Sequence, residues 1–426
     1  MRWVIPPLAG SGRLPDCGKG SLTLPRRVLY ARRQSHGNDS NPGFGLVKEE
    51  ERMKVQRSRW RTRRVVSLGV ALAAGVAMTA VLTAGASANK ASRATARSGP
   101  YTFVLSNNFL GNDWRPQVER LAQLTANIAP FKGNVSMKIV NSADTNQAQI
   151  SDLNNIIQTK PNVILLIPGS TTALNPTIQR ACNAGILVFT LSAPVSVPCV
   201  YNLNESFYAG NEAMGQWMAK ALGGKGSIFL DEGVAGLAIS QQIENGFLAG
   251  LHKYGPKITV AGKYVGQYAA GPEQSGITSL LASNPNVNGV MTQGYCTPVF
   301  NALKAAGKAA VPAVCYGYNG EMTACGTGGH QCAILTNTPG EVQLAMQIAL
   351  NILQGGKPPK HGNTIIPYPD YIYVSPTPKV TLNSTIPVEV LKENVNFFPS
   401  LAAGLSLPYA LPQYIKDITP QEAAGK

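Results

Sequence analysis

Asn107, Asn108, Asn112, Asp113, Trp114 and Arg115 crowd the middle of one short stretch, YTFVLSNNFLGNDWRPQVERLAQ, running from Tyr101 to Gln123. Amides, a carboxylate, a guanidinium and one broad aromatic face can together hydrogen-bond and wall in a small polar molecule. The competing reading is a solvated loop whose asparagines cap the helix that follows. Covalent chemistry has weaker support. The chain has no HExxH, no GxSxG and no Walker A sequence, because Gly223-Gly224-Lys225-Gly226 lacks the leading Gly and the following Ser or Thr. Asp231-Glu232 offers adjacent carboxylates, but neighbours on an extended segment point opposite ways and do not flank one glycosidic bond. Only four His are present, none in a catalytic setting.

The elements that must hold the polar loop are legible around it. Tyr101 to Leu105 is an apolar run of strand length, and Val118, Leu121, Ala122 and Leu124 recur at helical spacing. A parallel strand feeding a helix places the loop at the carboxyl end of the strand, where open α/β sheets bind ligands. Strand signals at 135–140, 162–167 and 186–191 alternate with helix signals at 146–158 and 176–184. A second series follows, with helices at 211–222, 240–254, 272–283 and 297–306 and strands at 226–230, 258–264, 287–292 and 313–317. Two such sets predict an α/β protein of two similar parallel-sheet lobes, because one core of this size would split, with a ligand cleft between them. A helix over 339–353 and a late strand over 371–374 complete the pattern, and 376–426 reads as a Pro-rich extended tail.

The formal net charge of +15 would ordinarily raise nucleic acid as a partner, but residues 1–99 hold 18 Lys and Arg against 5 Asp and Glu. The remaining residues hold 19 against 17, so the folded part carries no basic surplus that would grip a polyanion. Residues 1–52 lack apolar periodicity and read as disordered or as a mis-assigned start, with Met53 as the true one. From Met53 a basic start, an apolar run from Val65 to Leu82 and Ala86-Ser87-Ala88 form a signal peptide over 53–88, with an uncleaved anchor as the alternative. Cys17 lies in the leading segment; the other six cysteines, an even number in an exported chain, point to disulfides. Spacing alone allows 15 pairings. The near-neighbour set joins Cys182 to Cys199, Cys296 to Cys315 and Cys325 to Cys332; the rival is a zinc site from the last four with His330.

Four stretches carry a family resemblance: LSNNFLGNDWR, DTNQAQISDLNNIIQTKPNVILLIPG, NGVMTQGYCTPVFNALKAAGK and VCYGYNG. Through them the chain from about Tyr101 to Val374 resembles sugar-binding periplasmic proteins of the ribose-binding type, the type I solute receptors of ABC importers. The resemblance implies a three-crossover hinge near Asn204, near Asn337 and near Pro369 to Tyr371. The first lobe is then 100–203 plus 338–368, the second 204–336, and 369–426 the hinge return and extended C-terminal tail. It further implies an extracytoplasmic monomer that binds a small sugar or polyol, partners an ABC permease in the membrane, and uses no cofactor, metal or catalytic residue. A sensory solute receptor and an exported carbohydrate-active enzyme are the alternatives.

Carried over by position, Asn112 and Trp114 supply an amide and an aromatic wall, with Asn108 and Asp113 beside them. Arg115 occupies a second aromatic position, and Ser192-Ala193 stand where many sugar receptors have Asp-Arg. Gln241 stands at a frequent Arg position, Tyr268 aligns with a second-lobe aromatic, and Gly294-Tyr295 replaces Asn-Asp. Asn319 replaces an Asp, and Asn337 aligns with a hinge Gln. Neutral amides then dominate, with Asp113 and Arg115 as the charges. The departure extends the candidate solutes from ribose, glucose or galactose to a polyol, a deoxysugar or another small polar solute.

Overall fold

The structure is a computed structural model that describes residues 100–204, 207–360, 365–367, 370–375 and 381–426. The expected signal peptide at 53–88, the leading segment 1–52, Cys17 and Pro369 lie outside the described residues. Apolar runs flanked by amphipathic stretches give, in chain order, β1 (Tyr101–Asn107), α1 (Trp114–Ala126), β2 (Val135–Asn141), α2 (Asn146–Gln158) and β3 (Val163–Ile167). Next come α3 (Asn175–Asn183), β4 (Leu187–Thr190), β5 (Tyr201–Asn204), α4 (Phe207–Ala221), β6 (Lys225–Asp231) and α5 (Ala238–Tyr254). The series continues with β7 (Lys257–Tyr264), α6 (Ala270–Ser283), β8 (Gly289–Met291), α7 (Cys296–Ala305), β9 (Ala313–Tyr316), α8 (Asn319–Thr327) and β10 (Cys332–Leu335). It closes with α9 (Glu341–Leu353), β11 (Ile365–Pro367), β12 (Ile372–Ser375), β13 (Val388–Val390) and α10 (Pro420–Ala424).

Two sheets result. The first has the order β11-β5-β4-β3-β1-β2 and is parallel throughout; the second has the order β13-β12-β10-β9-β8-β6-β7, with only β10–β12 antiparallel. The two windings match: β6 and β8 are neighbours in the second sheet just as β1 and β3 are in the first. In each case chain order reverses between those two strands, and a doubly wound sheet opens a ligand crevice at that point. Strands such as β3, VILLI, are buried along their whole length, as helices on both faces require. α4 and α5 cross so closely that a Cβ at Gly215 or Gly250 would collide with the backbone of the opposite helix.

The departures from the sequence expectation concern short elements. β5, α8, β10 and β11 appear where no element was expected, the expected late strand over 371–374 is β12, and β13 extends the second sheet with what was read as tail. The chain after β13 is not merely an extended tail: it crosses from the second lobe to the first and ends in α10, closed by a Thr419–Glu422 capping box. Disulfides join Cys182 to Cys199 at 2.10 Å, Cys296 to Cys315 at 2.19 Å and Cys325 to Cys332 at 2.07 Å. The sulfurs of Cys296, Cys315 and Cys325 do cluster, but each is committed to a disulfide, and a thiolate is what zinc needs. Among the described residues no helix is long and apolar enough to cross a membrane.

Candidate functional site

The loop after β1 is built as a bracket for one guanidinium. Asn112 Oδ1 accepts from the Arg115 backbone N–H at 3.0 Å and so caps α1, while the Arg115 side chain turns back on the loop. Its Nη1 donates to Asn107 Oδ1 at 2.9 Å and to Asn108 Oδ1 at 3.1 Å. Trp114, 2% exposed, donates from Nε1 to the Asn337 carbonyl at 3.0 Å and ties α1 to the segment leaving β10. Ser192, held at φ +64° after β4, donates from N and Oγ to the Glu341 carboxylate at 3.1 and 2.6 Å.

From the second sheet, the turn after β7 presents Tyr268 with φ +52°. Its hydroxyl shares a 2.6 Å hydrogen bond with Ser240 Oγ and donates to Gln293 Oε1 at 3.2 Å. Gln293 is itself fixed by Asp231, whose buried carboxylate also accepts from the Gly233 and Gly266 amides at 2.8 and 2.7 Å. Asp231 thus pins the loops after β6, β7 and β8, and Glu232 faces away to an exposed pairing with Lys263. Tyr295 and Tyr318 stack at 4.8 Å, and the Tyr295 hydroxyl donates to Asp113 Oδ2 at 3.1 Å across the lobes.

Between these groups lies a cavity with about 410 Å³ of empty space, counting the part open to solvent. Burial lowers the Arg115 guanidinium to about 10, which leaves it charged at neutral pH. Burial raises Glu341 to about 7, against the Ser192 hydrogen bonds and Arg115, which favour its ionised form. Glu273, beneath the second-lobe loops, is pushed well above the usual range by burial and then by the neighbouring Asp231. The arrangement can bind a polar molecule through amide, hydroxyl and guanidinium groups against aromatic walls.

The sequence pattern of the periplasmic binding protein domain matches residues 103–357. The chain belongs to that family. It is 27% identical over 188 residues to a xylitol-binding protein of Mycolicibacterium smegmatis, a match covering 43% of this chain and 54% of the relative. The chain therefore spans about half the length of the curated relative it matches. An ABC transporter solute binding protein from Thermobispora bispora superposes with a TM-score of 0.57 at 25% identity, covering 63% of this chain and 84% of that one. A periplasmic solute binding protein from Actinobacillus succinogenes with bound D-allose gives 0.55 at 20% identity, covering 64% and 96%, which speaks to the fold.

Within this periplasmic binding protein, six of the residues expected at the site line the cavity: Asn112, Trp114, Arg115, Ser192, Tyr268 and Asn337. Five do not. Asn108 reaches the site only through Arg115, and Asp113 and Tyr295 are spent on each other. Gln241 is exposed, because Ile239 and Ile243 of α5 face the cavity at i and i+4 and a residue two positions along lies on the far side of the helix. Asn319 is turned to the C-terminal segment, donating to the Phe398 carbonyl at 2.8 Å and accepting from its N–H at 2.9 Å. Ile239, Ile243, Gln293, Tyr316 and Tyr318 line the cavity without having been expected. Tyr316 and Tyr318 had a legible signal, since alternate residues leaving a strand share a face.

Proposed function

We infer that the protein is an extracytoplasmic solute receptor: it captures a small polyhydroxylated molecule between its lobes and presents the closed form to an ABC permease. The observation that carries this reading is the cavity's composition. Trp114, Tyr268, Tyr316 and Tyr318 offer flat faces for the apolar side of a carbon chain or ring, and Asn112, Asn337 and Arg115 offer hydrogen bonds to hydroxyls. Asn337 Oδ1 is buried and accepts no hydrogen bond among the described residues, so a ligand hydroxyl would complete it. The xylitol-binding relative supports a polyol or sugar, and membership of a family of binding proteins favours capture over turnover. Closure over the guest would follow a hinge between the lobes, stabilising whichever state makes more ligand contacts.

The test is a thermal-shift and calorimetry screen of the purified protein against pentoses, hexoses, their polyols and their acids, with product analysis alongside. Saturable binding without turnover supports the receptor. Conversion of any solute would favour an enzyme, and silence across the whole panel would remove the reading.

A further inference from the structure

We propose that the ligand is a polyhydroxy monocarboxylate, an aldonic or uronic acid, whose carboxylate sits on the Nε–Nη2 edge of Arg115. This rests on the receptor reading and narrows it. Among the described residues Arg115 is the one formally charged residue lining the cavity, and no acidic residue lines it. The side chain is 5% exposed, yet its only hydrogen-bond acceptors among the described residues are two neutral amide oxygens, both on Nη1. Nε and Nη2 donate to nothing there, and Arg115 forms no ion pair among the described residues.

A buried cation without a counter-ion is costly, and such a charge is ordinarily paired. Two protein carboxylates act on it from outside the cavity wall. Glu341 is engaged by both donors of Ser192, and Asp144 is exposed to solvent. Asp113, the other charge expected here, is turned to the Tyr295 hydroxyl. The missing partner is therefore an anion that enters with the ligand.

The geometry also selects the kind of anion. A free guanidinium edge presents two parallel donors, which match the two oxygens of a carboxylate. One cation balances one negative charge; a phosphate monoester would bring close to two and leave the excess buried. The rest of the molecule is hydroxylated, because the remaining lining offers an unpaired amide oxygen and aromatic faces rather than further charge.

The experiment is calorimetry on the full-chain protein at pH 7 with matched pairs that differ by the acid group: xylonate and xylitol, gluconate and glucitol, glucuronate and glucose. Inorganic phosphate serves as a competitor. The expected result is an acid that binds at least about ten-fold more tightly than its neutral partner, with the ratio collapsing in Arg115→Gln. Circular dichroism reports whether that variant folds, and the pairs measured on the unaltered protein decide the matter without it. A neutral solute that binds as tightly as its acid overturns the proposal and leaves the receptor intact. Phosphate binding more tightly than every acid also overturns it, and silence from all pairs overturns the receptor reading as well.

Discussion

Replacing Asn319 with Ala separates a ligand contact from a structural one. Its amide donates to the carbonyls of Phe398 at 2.8 Å, Leu401 at 3.2 Å and Ala402 at 3.4 Å, and its oxygen accepts from the Phe398 N–H at 2.9 Å. Two of these are short, and each such bond contributes about 1 kcal/mol net. Ala removes both and strands a backbone N–H and a carbonyl in a place that water only partly reaches, so the expected loss is roughly 2 to 3 kcal/mol. Urea unfolding should show this as a lower midpoint at an unchanged slope. Limited proteolysis should cut residues 392–426 sooner in the variant, while ligand affinity stays within about two-fold, since Asn319 does not line the cavity. A variant as stable as the parent but ten-fold weaker in binding would refute the reasoning and put Asn319 back at the ligand.

Tyr295→Phe should lower stability by about 1 kcal/mol, read from the urea midpoint, because the hydroxyl's hydrogen bond to Asp113 is lost while the stack on Tyr318 remains. The folded Glu341 carboxyl, raised to about 7 against an ordinary 4.5, adds stability that is complete below pH 4.5 and is lost as pH rises through 7. The difference in unfolding free energy between the parent and Glu341→Gln, measured from pH 4 to 8, should follow that course; a difference that is flat with pH would contradict it.

The layered fold was readable because its strands are buried on both faces and so appear as unbroken apolar runs, as in β3 and β4. The unexpected elements lack such runs. β5 is YNLN, with polar alternates, and α8 is NGEMTACGT, where Gly and Thr obscure any helical period. At the site, Trp114 and Arg115 could be located because they stand where β1 hands over to α1. Asn319 and Tyr295 occupy equally suitable positions at strand ends, but contacts distant in sequence claim their side chains. Phe398 lies 79 residues from Asn319 and Asp113 lies 182 from Tyr295, and no local pattern encodes a partner that far away.

The C-terminal segment explains why affinity and stability should separate in the Asn319 and Tyr295 variants. On the second lobe it is held by Asn319, by Gly320 N–H to the Ala403 carbonyl at 2.8 Å, and by Leu407 N–H to the Gly317 carbonyl at 2.9 Å. On the first lobe Gln117 holds Gly404 and Ser406 at 2.6 and 2.9 Å, and Gln343 accepts from Leu411 at 2.8 Å. Asp113 lies against Gly404, so the Tyr295 clasp belongs to the same flank. Parting the lobes there would break several hydrogen bonds at about 1 kcal/mol each, whereas a swing that leaves the flank intact breaks none of them. If the cleft opens about this flank, the bonds are kept through both open and closed states and add equally to each. They raise the free energy of unfolding without changing the balance that a ligand shifts.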